Sequence, residues 1–356
     1  MTSRLSASRL KAGLEHIDTL GLDDRGLRAS ILEVIREFVP YEAFAFLLTD
    51  PVTTVGCSPV AMVPDLSTLP TLIRLKYLTP LNRWTSLPSS GAASLALTTG
   101  PRNEENVLWA DLLAHSGISD VVSVVFNDRF GWWGFLDLWR REGSFTAEEV
   151  RVLAEVRPAI TSLLRSMQAA SFRIVHPAPV RRGPGALILS PELELRVETA
   201  QAADWFSLLV PPEGGASPIP ASAYNVAAQL LAIEARIDFH PAQARVHLGG
   251  STWLTLRADR LAGHEPIERR DIMVTMETSS PAECRDIFAR SHGLTNRESE
   301  LLRQLAEGND TRTVARSMLI SELTVQDHLK SVFTKTSTSS RSELLALSMG
   351  ARTELE

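Results

Sequence analysis

Cysteine is nearly absent from this sequence: Cys57 and Cys284 are the only two, far apart and without ligand spacing. A disulfide framework and a cysteine-based zinc site are thereby excluded, and the count suits a reducing, cytoplasmic setting. Long hydrophobic runs are missing as well. The apolar stretches are strand-sized or broken by charge, so none could span a bilayer as a helix. The opening residues, MTSRLSASRLKAGLEHIDTL, mix acids into an apolar stripe and lack the continuous core of a secretory signal. Catalytic signatures are absent too: there is no P-loop, GxSxG, HExxH or Gly-rich dinucleotide turn. The chain is therefore not expected to be an enzyme.

Metal spacing is lacking among the eight histidines, none of which pairs with Cys, Glu or another His, and no metal or cofactor is expected. His240, His247 and His264 fall in one block and read as surface or strand histidines, with haem ligation the alternative. Asp23-Asp24 looks like the acidic pair of a phosphorylatable receiver but follows a helical turn, with no matching acceptor Asp and strand-end Lys downstream. That reading is rejected.

Positive charge is in short supply overall, with a net charge of -6. This argues against polyanion binding by the whole surface but says little about one small region. Between Arg312 and Arg341 the balance reverses: five basic residues face two acids, a surplus of three.

What is present is 356 residues that are 44% hydrophobic, enough for two or three domains with real cores. Three blocks follow one another without an internal repeat. In the first, LRASILEVIREFV is a helix stopped at Pro40, YEAFAFLLTD a strand, and DVVSVVFND and WWGFLDLWR a hairpin across DRFG. SFTAEEVRVLAEVRPAITSLLRSMQ opens on a Thr146-x-x-Glu149 capping box and runs as a long amphipathic helix that Pro158 should kink. Trp133 and Trp139 share strand parity and Trp132 faces away; core packing is favoured over an aromatic pocket.

Residues 171–185, rich in Pro, Arg and Gly, form the expected linker. The second block then alternates short strands and helices: GALILSPELELRV, TAQAADWFSLL, the loop PPEGGASPIP, ASAYNVAAQLLAIEA, a hairpin around Gly249-Gly250, and DIMVTMETS. Pro281 begins a helical connector over 281–293.

The third block is helical throughout. Thr295-x-x-Glu298 is a capping box, Gly308 a left-handed cap, and Asp310 the cap of a second helix. LIS makes a tight turn and Ser321 caps a third helix, which is the helix-turn-helix arrangement. On that third helix Val325, Leu329, Val332, Phe333 and Thr336 form an inward stripe. Leu323, Gln326, Asp327, Lys330 and Thr334 occupy the opposite face. Gln can pair with adenine, Lys with the acceptors of guanine, and Asp can accept from cytosine. Ser321, Thr324, Lys335 and Arg341 are placed to hold phosphates. The alternative is a solvated helix face in a small bundle.

LTNRESELLRQLAEG, VARSMLISELTVQDHLKSVFTKT and SRSELLA together resemble the LuxR-type helix-turn-helix domain over about 55 residues. The resemblance implies a four-helix module that binds double-stranded DNA, usually as a dimer, with base contacts on Gln326, Asp327 and Lys330. Three positions depart from the family pattern. Asn296 replaces the usual Pro, Ser337 stands where Gly would cap the reading helix, and Leu323 replaces a polar or basic residue. A left-handed Ser337 would cost up to roughly 1 kcal/mol.

The first block resembles a GAF domain, through FGWWGFLDLWRREGSFTAEEVRVLAEVRPAITSLLR, and the second more faintly a PAS-like domain. The fold class these resemblances imply is multidomain: two α+β sensor-like domains, each an antiparallel sheet with helices, then an all-α four-helix helix-turn-helix domain. The boundaries are 1–170 (GAF-like), 171–185 (linker), 186–280 (PAS-like), 281–293 (connector) and 294–356 (DNA-binding). The expected function is a one-component, sequence-specific transcriptional regulator, cytoplasmic and homodimeric, with an unknown small-molecule effector and no membrane partner. The competing reading is a protein-interaction factor whose helical module binds RNA polymerase or another partner instead of DNA.

Overall fold

The computed structural model describes residues 2–18, 22–87, 90–100, 106–173, 183–209, 219–249 and 252–350. The expected linker at 171–185 and the loop at 211–220 fall mostly outside that set, and the Gly249-Gly250 turn falls partly outside it.

Two helices lead in, α1 (Thr2–Asp18) and α2 (Asp24–Arg36). The acidic pair at 23–24 is accounted for locally, because Asp23 Oδ1 accepts the Gly26 N–H at 2.7 Å and caps α2. Next come β1 (Ala43–Thr49), β2 (Gly56–Met62), α3 (Leu69–Leu78), β3 (Ala92–Ser94) and α4 (Leu95–Thr99). A π-helical turn at Trp109–Leu113 precedes β4 (Asp120–Asp128) and β5 (Gly131–Arg140). These strands form a five-stranded antiparallel sheet in the order β2-β1-β5-β4-β3.

Alternation along β5 decides what each face meets. Gly134 lies under α5 (Ala147–Ser171): a Cβ there would sit 2.7 Å from Leu47 O and 3.3 Å from Leu164 Cδ1. Only glycine allows so close an approach. The odd-numbered Phe135, Asp137 and Trp139 lie on the other face, toward α3. The expected capping box of α5 is present, with the Thr146 and Glu149 side chains and backbones bonded reciprocally. The helix runs through Pro158 as one element.

The second sheet contains β6 (Gly185–Leu189), β7 (Leu195–Glu198), β8 (Gln243–His247), β9 (Trp253–Arg260) and β10 (Ile272–Thr278). It has the order β7-β6-β10-β9-β8 and is also antiparallel. Its helices are α6 (Ala200–Leu209) and α7 (Ala221–Glu234). The all-helical region follows: α8 (Pro281–Ser291), α9 (Asn296–Ala306), α10 (Thr311–Met318), α11 (Glu322–Thr336) and α12 (Arg341–Ser348).

The chain divides into two units. The first takes Met1–Leu164, Arg182–Val246 and Thr255–Glu277, and so holds most of both sheets. Buried charges tie its two sheet-bearing parts together. Arg245 meets Asp50 bidentately, through Nε and Nη2 at 2.7 Å each, across 195 residues. Burial opposes ionisation of Asp50, but Arg245 and two backbone N–H groups outweigh it, so its carboxyl titrates below the usual range. Arg83 donates to Asp238 Oδ2 at 3.0 Å and to Gln229 Oε1 at 2.8 Å.

The second unit takes Arg165–Arg181, His247–Leu254 and Thr278–Glu356. Its core is built around Phe172, Trp253, Ile287, Phe288, Leu302 and Val332. Phe172 stacks on Trp253 at 5.2 Å and meets Phe288 edge-on at 5.2 Å. His292 rests against Phe288, with centroids 4.1 Å apart. Burial lowers its pKa to about 4, so it is neutral at physiological pH.

Candidate nucleic-acid interface and interior cavity

Local chemistry sets the starts of α9, α10 and α11. Thr295 and Glu298 close a capping box at the start of α9, and Gly308 follows its end at φ +87. Asp310 Oδ1 accepts the Thr313 N–H at 2.7 Å and caps α10. Leu319 then turns left-handed at φ 55, and Ser321 Oγ accepts the Thr324 N–H at 3.1 Å to start α11. Three residues thus separate α10 from α11, and Leu301, Leu305, Val314, Met318, Val325 and Leu329 bury themselves between the helices. That geometry leaves the other side of α11 in solvent.

On that open side Gln326, Asp327 and Lys330 are all exposed, with Leu323 beside them at 74% exposure. Thr334 is exposed too, while Val325, Leu329, Val332 and Thr336 are buried and Phe333 is half-buried. Both faces are as the helical spacing predicts. Arg312 and Arg316 of α10 are also exposed.

The four phosphate candidates do not form one free set. Ser321 and Thr324 stand together at the start of α11, their hydroxyls 2.8 Å apart. Lys335 Nζ lies 2.9 and 2.6 Å from the two Glu298 oxygens. Arg341 Nη2 donates to Leu305 O at 3.2 Å and Asn309 O at 2.9 Å, bracing the end of α9.

Glu298 was legible in the sequence only as the third residue of a capping box. Its carboxylate accepts from Thr295 N at 2.7 Å and Ser331 Oγ at 2.6 Å as well as from Lys335. Burial disfavours the charged form, but the donors from Lys335, Ser331 and Thr295 prevail and hold the pKa at about 2. A second unforeseen residue is Arg173, whose Nη2 donates to Ser337 O at 2.9 Å and to Thr336 O. It occupies carbonyls that the end of α11 would otherwise leave open. Ser337 itself is left-handed, at φ 48 and ψ 41, in the conformation for which glycine is favoured.

The first unit contains a cavity of about 200 Å³ between the sheet and α3. Leu47, Leu72, Ile73 and Phe135 contribute apolar wall, and two residues of α7, Ala221 and Asn225, also line it. Its charged lining residues are Lys76 and Asp137, which neutralise one another at 2.7 Å. Ser123 Oγ donates to Asp137 Oδ1 at 2.6 Å and completes that pair's surroundings. Tyr77 Oη accepts the Gly56 N–H at 2.9 Å. Trp139 is buried and lines the cavity, and its Nε1–H has no hydrogen-bond partner among the described residues. An apolar space of this size suits an apolar guest better than water. Trp133 is buried with Nε1 bonded to Asp128 at 3.0 Å, and Trp132 is half-buried near His240. Sequence reading did not find the cavity. Sequence favours core packing of the tryptophans over an aromatic pocket, yet Trp139 lines the cavity; Asp137, an acid inside the otherwise apolar run FLDLW, is a further signal.

Among the described residues no group of three His, Cys, Asp or Glu is arranged to hold a metal ion. No helix among them is long and apolar enough to cross a membrane.

Residues 292–348 match the family described as bacterial regulatory proteins, luxR family. Comparison with curated proteins gives no match. Among solved structures, the VqsR LBD domain from Pseudomonas aeruginosa aligns at 18% identity and a TM-score of 0.32, over 46% of this chain and 94% of that one. SdiA in complex with octanoyl-rac-glycerol aligns at 15% identity and a TM-score of 0.28, over 98% of this chain and 93% of that one. Superpositions this loose carry no argument about binding.

Proposed function

We propose that this chain, a LuxR-type DNA-binding transcription regulator through its C-terminal helix-turn-helix, is a one-component switch. A small effector held in the first unit alters how the helical module engages DNA, with no phosphorylated receiver involved. Gln326, Asp327 and Lys330 read base edges, and Leu323 offers an apolar contact to a thymine methyl. Ser321, Thr324, Lys335 and Arg341 hold phosphates. Lys335 and Arg341 do so with N–H groups not taken up by Glu298 or the carbonyls of Leu305 and Asn309. The chain acts as a homodimer in the cytoplasm, because a helix-turn-helix gains specificity by reading two half-sites. Its parts are the GAF-like 1–170, the PAS-like 186–280, the connector 281–293 and the DNA-binding 294–356.

The observation that carries the reading is the exposed polar face of a capped helix set three residues after its partner. The cavity supports the sensory part. Its two charges cancel, so a neutral, mostly apolar effector fits it better than a nucleotide or an amino acid.

Selection from a random duplex library followed by footprinting tests the proposal. The wild-type chain should enrich a site and protect it, and Gln326→Ala with Lys330→Ala should abolish protection. No enriched site, or protection unchanged in the double variant, would sink it. The exposed Leu319 and Leu323 favour a protein-binding face. Salt-insensitive association with RNA polymerase in the absence of DNA would support that second reading.

A further inference from the structure

The cavity is lined by residues from both sheet-bearing parts of the first unit. Ala221, Asn225 and Gln229 recur every fourth residue along α7 and so share one face of that helix. Ala221 and Asn225 line the cavity. Asn225 Nδ2 donates to Gly56 O at 2.9 Å, and Gln229 Oε1 accepts from Arg83 Nη2 at 2.8 Å. The fit is close: a Cβ on Gly56 would come 3.3 Å from Asn225 Nδ2. Gln229 Nε2 also donates to His240 O at 2.8 Å.

Buried polar bonds of this kind have one satisfied geometry, whereas an apolar contact can slide. The helix is therefore held in register against the first sheet's elements. Asn225 commits an amide N–H to Gly56 and brings a polar side chain to the cavity wall.

We propose that the effector site is composite: the second block supplies α7 as a wall, with Ala221 setting the depth of the site and Asn225 its polarity. This rests on the reading of the cavity as the effector site. A neutral, mostly apolar molecule entering it touches both blocks, so its size is selected by a residue 82 positions beyond the last of the other walls in the chain (Ala221 against Trp139). Ala221 is half-buried and lines that space, so a larger side chain at position 221 reduces it.

Titration of the full-length chain with the neutral fluorophore N-phenylnaphthylamine tests the assignment, alongside Ala221→Leu, Ala221→Phe and the first-block control Ala45→Phe. Affinity should fall stepwise from wild type to Leu to Phe at position 221, by about tenfold for Phe. Ala45→Phe should weaken binding similarly, and melting temperatures should hold. If only Ala45→Phe weakens binding, α7 is not a wall and the proposal fails while the cavity reading stands. If wild type binds no dye, or no substitution matters, the cavity reading fails and takes the proposal with it. Should Ala221→Phe not melt cooperatively, the Leu variant decides by the same criterion.

Discussion

Lys335 Nζ sits 2.6 Å from Glu298 Oε2, joining the last turn of α11 to the first turn of α9. One carboxylate thereby closes the capping box of α9 and anchors the C-terminal end of the reading helix. The Glu298 side chain is only 4% exposed, so the pair is not a solvated surface contact of negligible worth.

This pair has a pH signature. Glu298 titrates near 2 in the folded chain against an ordinary 4.5, so its stabilisation is complete above about pH 4.5 and fades as pH falls toward 2. Glu298→Gln should lower stability by roughly 1–3 kcal/mol at pH 7. The gap from wild type should hold down to about pH 5 and close below it. Urea midpoints measured from pH 7 to pH 3 check this, and a gap that widens on acidification would contradict it.

Lys335→Ala should cost stability as well as DNA affinity, because it leaves Glu298 with one donor fewer. Its effect on DNA should be uniform across sequences, with a salt slope smaller by roughly one unit. A changed sequence preference would argue against a phosphate contact. Arg341→Ala should lower the melting temperature of the helical module even without DNA, since Leu305 O and Asn309 O each lose a donor.

Substitutions on the exposed face should do the reverse. Gln326→Ala and Lys330→Ala should each cost roughly 1–3 kcal/mol at the specific site and relax preference at one base pair. Circular dichroism and thermal melting should stay unchanged, because neither side chain is buried. Binding to random duplex should also change little for Gln326→Ala.

Two left-handed residues offer stabilising changes. Ser337 at φ 48 and Leu319 at φ 55 both hold a conformation that L side chains adopt at a cost. Ser337→Gly and Leu319→Gly should each raise stability by up to roughly 1 kcal/mol, read as a higher melting temperature. Leu319 is 91% exposed, so its removal forfeits almost no burial.

In the first unit Arg245→Met should destabilise by about 3–5 kcal/mol, because it strands Asp50 as an unpaired buried charge. Asp50→Leu combined with Arg245→Met should recover much of that loss. A double variant no better than Arg245→Met alone would mean that the pair's other hydrogen bonds, and not its charge, hold the two parts together.

What the sequence by itself determined is what neighbours in the chain decide. Caps at Thr146, Thr295, Asp310 and Ser321, the left-handed turns at Gly308 and Ser337, and the two faces of α11 all depend on residues close in the chain. Their chemistry is set by spacing alone, which is why helical periodicity places Gln326, Asp327 and Lys330 on one exposed face. Only the tertiary structure decided the rest. Lys335 meets Glu298 across 37 residues, Asn225 meets Gly56 across 169, and Arg245 meets Asp50 across 195. Nothing in local spacing distinguishes these side chains from ordinary surface charges or helix interiors. Which of them meet is fixed by how sheets and helices pack, and packing also opens the cavity beside Trp139 and commits Lys335 and Arg341 to their own module.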